Sequence, residues 1–155
     1  MKEIILSRGE FALVDDEDYE WLNQWKWYKN NDGYATRCAW IGHGYIRYYM
    51  HRVIMNTPKG MFTDHINQNR LDNRRSNLRV CNLVQNLANR PKNITNHSGA
   101  KGVSWHKCRK KWDAQIKYCG KYIHIGSFDS LEEASKAYQN KASELLGEFV
   151  YKGVV

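Results

Sequence analysis

Met61-Phe62-Thr63-Asp64-His65, a polar loop from Asn67 to Asn77, Leu78-Arg79-Val80, and Asn82-Leu83-Val84-Gln85-Asn86 follow one another and spell strand, long loop, strand and short helix. The turn Thr57-Pro58-Lys59-Gly60 precedes the first strand. Asn82 and Gln85, three residues apart, make a capping box for a helix running to Asn89, and Pro91 stops it. The loop is dense in Asn, Asp and Arg and has no ladder of its own, so side chains must satisfy its backbone.

On the N-terminal side, Ile4 to Val14 alternates weakly and is broken by Gly9, which predicts a hairpin. Asp15 then opens a helix with Asp18 in its first turn and Tyr19, Leu22 and Trp25 at helical spacing, so that this acidity complements the helix dipole. Trp25 to Tyr28, Gly33 to Thr36 and Tyr45 to Tyr48 read as strands of an aromatic-rich antiparallel sheet. The turns Asn30-Asn31-Asp32-Gly33 and Gly42-His43-Gly44 separate them.

On the C-terminal side, Pro91 to Gly99 is polar and aperiodic, which predicts a linker over 91–100. Gly102 to Trp105, Lys111 to Lys117 and Lys121 to Ile125 alternate as three strands. Ser130 with Glu133 caps a helix bearing Ala134, Ala137, Tyr138 and Leu145 on one side, and Gly147 ends it.

The formal net charge of +8 is unevenly placed. Residues 1–65 carry 8 Lys/Arg against 9 Asp/Glu, residues 66–125 carry 13 against 2, and residues 126–155 carry 3 against 5. A basic stretch nearly free of acids is the footprint of a phosphate-binding face. The four cysteines are widely spaced with no C-x-x-C pair, so neither a zinc knuckle nor a disulfide scaffold is signalled, and reduced thiols in a cytosol are the simpler reading. The N-terminus lacks the apolar length of a signal peptide, and no later run approaches a membrane span.

Hydrolysing a phosphodiester at neutral pH requires an activated water, a cation to hold charge on the phosphate, and ligands for that cation. Asp64 and His65 supply a ligand and a proton acceptor side by side, and Asn86, one turn into the helix, offers a neutral oxygen. Neighbouring side chains on a strand point to opposite faces, so the strand must end or twist here for both to serve one phosphate. Two hard oxygens without a thiolate point to Mg2+ or Mn2+ rather than Zn2+. Arg74, Arg75 and Arg79 are candidate phosphate clamps.

The joined string Asp64-His65-Ile66-Asn67, Leu71 to Arg79 and Gln85-Asn86 closely resembles the HNH motif of phage and intron homing endonucleases. The resemblance implies that Asp64 and Asn86 bind one divalent metal, that His65 is the general base, and that Asn77 braces the loop. His51, in Met50-His51-Arg52, occupies a place where relatives carry the same triplet, and its reading from sequence is structural. The C-terminal module, from Lys101-Gly102-Val103 through Lys111-Trp112, Ile125-Gly126-Ser127-Phe128 and Ala137-Tyr138 to Gly147-Glu148-Phe149, resembles the plant ethylene-response-factor (APETALA-type) DNA-binding domain. That resemblance implies a three-stranded sheet in the major groove with its helix behind. Strand alternation together with this likeness nominates Ser104, His106, Arg109, Lys111, Gln115, Lys117, Tyr122 and His124 as DNA-facing, joined by Lys101 at the module's start. Trp105 and Trp112 could stack on sugars, with core packing the expected role of Trp112.

These readings predict an α+β protein: an N-terminal antiparallel region (1–50), a ββα-metal core (51–90), the linker (91–100), and a sheet packed on one helix (101–155). The expected activity is metal-dependent cleavage of double-stranded DNA, one strand per active site, by a monomer that stays in the cytosol. The alternatives are a DNA-binding regulator on the same scaffold without the chemistry, and a structural RNA-binding protein.

Overall fold

The computed structural model describes residues 1–91 and 96–151. It is α+β, with several small antiparallel sheets and few helices, and its chain divides into two compact units, Met1–Leu83 and Val84–Val155.

In the first unit, β1 (Lys2–Ile5) and β2 (Phe11–Val14) form the expected hairpin, paired from Lys2↔Val14 to Ile5↔Phe11. Ile4, Ala12 and Val14 turn inward while Glu3 and Ile5 face water, so alternation sets the register. The next element, α1 (Asp16–Leu22), ends before Trp25, one turn earlier than its periodicity predicts. Trp27 explains the stop: its indole, 1% exposed, fills the core and donates to Leu22 O at 2.9 Å, capping the helix end. The strand expected over Trp25 to Tyr28 accordingly shrinks to β3 (Tyr28–Lys29). With β4 (Ala35–Trp40) and β5 (Tyr45–Tyr49) it forms a three-stranded antiparallel sheet in the order β3-β4-β5.

A short helix that the sequence reading did not anticipate, α2 (Met50–Ile54), follows directly and buries Met50, His51 and Ile54. Then come β6 (Phe62–His65) and β7 (Leu78–Cys81), paired antiparallel from Phe62↔Cys81 to His65↔Leu78. The long loop between them is tied to the edge of β2, because Leu13 N donates to Leu71 O and Asn73 N donates to Leu13 O, each at 2.8 Å. Arg75 bonds Asp18 through Nε and Nη2, both at 2.8 Å, and its backbone N–H reaches Asp15 Oδ2 at 2.7 Å. This corrects the expectation for the acidic helix start. Asp15 makes no side-chain cap bond, and Asp15 and Asp18 hold the loop instead.

The helix α3 (Leu83–Ala88) begins immediately after Asn82 and falls almost wholly in the second unit. There the expected three strands are β8 (Val103–His106), β9 (Lys111–Tyr118) and β10 (Lys121–Phe128), ordered β10-β9-β8, with α4 (Leu131–Leu146) packed on them. Ser130 Oγ accepts from Glu133 N at 3.1 Å, as the capping reading predicts, and Gly147 ends the helix at φ +55°. The apolar centre is thin, with Val103, Ala114 and Ala134 buried and Trp112, Phe128 and Tyr138 closing over them. Gly102 (φ +72°) is required here, since a Cβ would stand 2.1 Å from the Tyr138 ring and 2.7 Å from Gln115 O. Of the expected linker, residues 92–95 lie outside the described residues. Residues 96–100 close on themselves through Asn96 Nδ2 to Ala100 O at 2.7 Å.

Candidate active site

The pairing of β6 with β7 sets Asp64 opposite Arg79 and His65 opposite Leu78. Asp64 Oδ2 accepts from Arg79 Nε at 2.9 Å and Nη2 at 2.8 Å, with both side chains about a tenth exposed. Arg79 compensates the charge of a carboxylate so covered. His65 is the last residue of β6, where the strand gives way to the loop, and the Asp64 carboxylate lies near enough to act on its imidazole. Its Nε2 lies 3.3 Å from Asn73 Oδ1, and its ring lies 5.0 Å from that of His51 and 5.9 Å from that of Tyr34.

Asn73 is fully buried, and its Nδ2 donates to Leu71 O at 3.2 Å. Its amide orientation is thereby set, leaving Oδ1 as the acceptor for His65. The imidazole therefore carries its proton on Nε2 and its basic lone pair on Nδ1. Burial holds the His65 pKa below its ordinary value; the Asn73 bond and the Asp64 and Asp72 carboxylates oppose that shift, and Arg70 adds to it. That lowering favours the neutral imidazole, the form that accepts a proton.

Asn77 sits where the loop closes. Its Oδ1 accepts from Asn67 N at 3.0 Å, its Nδ2 donates to Asp72 O at 2.8 Å, and its carbonyl accepts from Ile66 N at 2.9 Å. Asp72 accepts in turn from Asn67 Nδ2 and from both Nε and Nη2 of Arg74, which hold its pKa down. Each of the three arginines singled out as a clamp is thus held by a carboxylate: Arg74 by Asp72, Arg75 by Asp18 and Glu17, and Arg79 by Asp64. Asn86 lies half-buried on α3, in the second unit.

His51 is 6% exposed, and its Nδ1 is buried without a hydrogen-bond partner. Burial pushes its pKa down to about 3. It packs against the rings of Tyr34, Tyr49 and His65, at 5.0, 5.7 and 5.0 Å.

The sequence model of the HNH endonuclease family matches residues 48–88, which span α2, β6, the loop, β7 and α3. The uncharacterized HNH endonuclease L560 of Acanthamoeba polyphaga mimivirus is 28% identical over 145 residues, 92% of this chain and 74% of the relative. Protein 3.8 of Escherichia phage T7 is 37% identical over 92 residues, 59% of this chain and 75% of the relative. The chain belongs to the HNH endonuclease family. No solved structure matches it.

HNH endonucleases generally depend on a divalent metal. In this HNH chain no three His, Cys, Asp or Glu side chains converge as a metal cluster among the described residues. The buried Asp64 carboxylate is a hard oxygen donor of the kind that holds a divalent ion together with water and substrate phosphate.

In the HNH chain's second unit, strand alternation divides the sheet into two faces. Val103, Trp105, Trp112, Ala114 and Ile116 share one face with the helix, and the Trp105 and Trp112 rings are 5.0 Å apart. Ser104, His106, Lys111, Gln115, Lys117, Tyr122 and His124 fall on the other face, as the alternation predicts. Arg109, in the β8–β9 turn, reaches the same side. Two features there were missed from sequence. Asp113 lies in the middle of that face, bonded to Ser127 and Arg109, and Lys117 stands 5.4 Å over the Tyr122 ring. Lys101 is spent locally: its Nζ donates to Ala88 O and Arg90 O, each at 2.6 Å, and burial lowers its pKa to about 8.

Asn73 and His51 are the residues of the catalytic unit that sequence reasoning left without a chemical role. Asn73 was already inside the motif string, and its signal was a second Asn four residues before Asn77.

Proposed function

We propose that this protein is a homing-type DNA endonuclease in which His65 is the general base of phosphodiester hydrolysis. The observation that supports the reading is the Asn73–His65 contact, in which a fully buried amide holds Nε2 of an imidazole whose pKa is lowered by burial. His65 Nδ1 takes a proton from water, the water oxygen attacks phosphorus, and the bond to the 3'-oxygen breaks. That oxygen collects a proton from solvent, leaving a 5'-phosphate and a 3'-hydroxyl. Asp64 and Asn86 would hold a Mg2+ or Mn2+ ion, which when bound neutralises charge on the phosphate and the leaving oxygen. Asn77 braces the loop that carries Asn73, and Arg79 orients Asp64.

Target selection belongs to the outer face of the β8–β9–β10 sheet, working as an ethylene-response-factor-type domain does, from within the major groove of double-stranded DNA. Ser104, His106, Arg109, Lys111, Gln115, Lys117, Tyr122 and His124 are its contacts. With one catalytic centre per chain, a monomer cuts one strand. The test is purified protein on supercoiled plasmid with Mg2+ or with EDTA. Conversion to nicked circles only with metal supports the reading, and plasmid that is bound but uncut in both conditions overturns it.

A further inference from the structure

We propose that the β4–β5 hairpin is an arm that wedges Trp40 and Tyr45 between base pairs of the DNA beside the cut, an inference that rests on the nuclease reading above. Trp40 and Tyr45 face each other across the end of the hairpin, their rings 5.1 Å apart and edge-on. They are 60% and 75% exposed, and Ile41 and Ile46 beside them are also exposed. Several large apolar side chains left in water at one tip mark a contact surface. Gly42 and Gly44 carry no side chain at the turn, and the space beside each is open. A two-stranded ribbon of this kind is admitted by a DNA groove about 12 Å wide.

What lies behind the tip identifies the occupant. Successive residues alternate faces, so Tyr45, Arg47 and Tyr49 on β5 share one face with Trp40 and Cys38 on β4. Arg47 lies between the Cys38 thiol and the Tyr49 hydroxyl. The Tyr49 ring is 5.7 Å from His51, which is 5.0 Å from His65. One face of the hairpin thus carries an aromatic pair and a cation, and its inner end packs through Tyr49 and His51 against the proposed catalytic histidine. A nucleic acid offers the complementary order of stacked bases, backbone phosphate and scissile bond. A cation on that face and its continuity with the cutting site favour DNA over a second protein.

Strand rise puts Tyr45 about 13 Å from Tyr49. With bases spaced about 3.4 Å apart per strand, the wedge falls roughly four to seven nucleotides from the cut. Rings inserted between base pairs unstack them and bend or unwind the duplex.

The test uses closed-circular plasmid relaxed by a metal-independent topoisomerase in EDTA, where no cleavage occurs. Wild-type protein should leave negative supercoils after its removal, in proportion to the protein bound. Trp40→Ala/Tyr45→Ala, checked for folding by circular dichroism, should leave none at equal occupancy. It should also bind a duplex of about 30 base pairs roughly tenfold to a hundredfold more weakly, at low and high salt alike, because stacking is not ionic. Trp40→Phe/Tyr45→Phe should restore both. Unwinding that persists in the alanine variant overturns the proposal, as does wild-type protein that binds without unwinding. Self-association by sedimentation that the alanine variant loses also overturns it, by assigning the tip to a second copy of the chain. If wild-type protein nicks plasmid with Mg2+ yet never unwinds it, only the hairpin inference fails; if it does not bind DNA at all, both fail.

Discussion

Asn73 Oδ1 stands 3.3 Å from His65 Nε2, and the same amide's Nδ2 is bound to Leu71 O, so a fully buried side chain fixes which imidazole nitrogen is basic. Asn73→Ala should lower the single-turnover rate of plasmid nicking by about 10- to 100-fold with little change in DNA affinity. Asn73→Asp is the sharper variant. Burial keeps the His65 pKa low, so the wild-type rate should hold to below the ordinary histidine value before falling as the base protonates. A carboxylate at position 73 favours the imidazolium, so the acid limb should move up by about 1 unit. A pH–rate profile identical to wild type would show that Asn73 does not touch the working base.

His51 gives the fold a pH dependence of definite sign. Its folded pKa is about 3 against an ordinary 6.5, so between these values the unfolded chain binds a proton that the folded chain does not. Stability therefore falls as pH drops through that window, and His51 contributes no slope above it. His65 acts in the same direction. Urea unfolding at pH 6.5 and pH 5 should show a loss of up to about 2 kcal/mol from His51. His51→Phe, which keeps a ring among Tyr34 and Tyr49, should shrink that loss. An equal loss in both proteins would place the coupling elsewhere.

Arg75 joins the loop between β6 and β7 to α1 through the buried Asp18 carboxylate. Arg75→Ala should destabilise the first unit by about 1–2 kcal/mol, a figure reduced because the arginine itself is half exposed. The salt dependence of DNA binding should hardly change. A salt slope reduced by about one unit at unchanged stability would instead identify Arg75 as a phosphate contact.

Much of this arrangement was legible in the residues because local signals and tertiary structure agree. Ser130, Glu133 and Gly147 bound α4 as their capping chemistry predicts, and the alternation of β8, β9 and β10 names its outer face correctly. Where long-range packing overrode local preference, sequence misled. Trp25 continues a helical spacing, yet the burial of Trp27 ends the helix at Leu22. Asp15 and Asp18 resemble dipole-complementing acids, but their partner is Arg75, sixty and fifty-seven residues away. The Asn73–His65 bond lies within the motif itself, but which of several asparagines meets the imidazole depends on how the loop docks on Leu13.

Gly102 offers a separate handle on the second unit. A methyl group there meets the Tyr138 ring and Gln115 O at a backbone φ of +72°, so Gly102→Ala should destabilise that unit by about 2–4 kcal/mol. Site-selective binding should weaken with it, and metal-dependent nicking should fall as well, because Asn86, a proposed metal ligand, lies in the same unit. Thermal melting alongside plasmid nicking reads both quantities. Selective binding at wild-type strength from a destabilised variant would move target reading out of this sheet.

The most direct test of the account is the single-turnover rate of plasmid nicking by His65→Ala in Mg2+, measured beside its affinity for the same DNA in EDTA. The account predicts a rate lower by about 10²–10⁴-fold with affinity nearly unchanged, because the substitution removes a proton acceptor and not a phosphate contact. A variant that keeps more than half of the wild-type rate would contradict it, since another group would then activate the water.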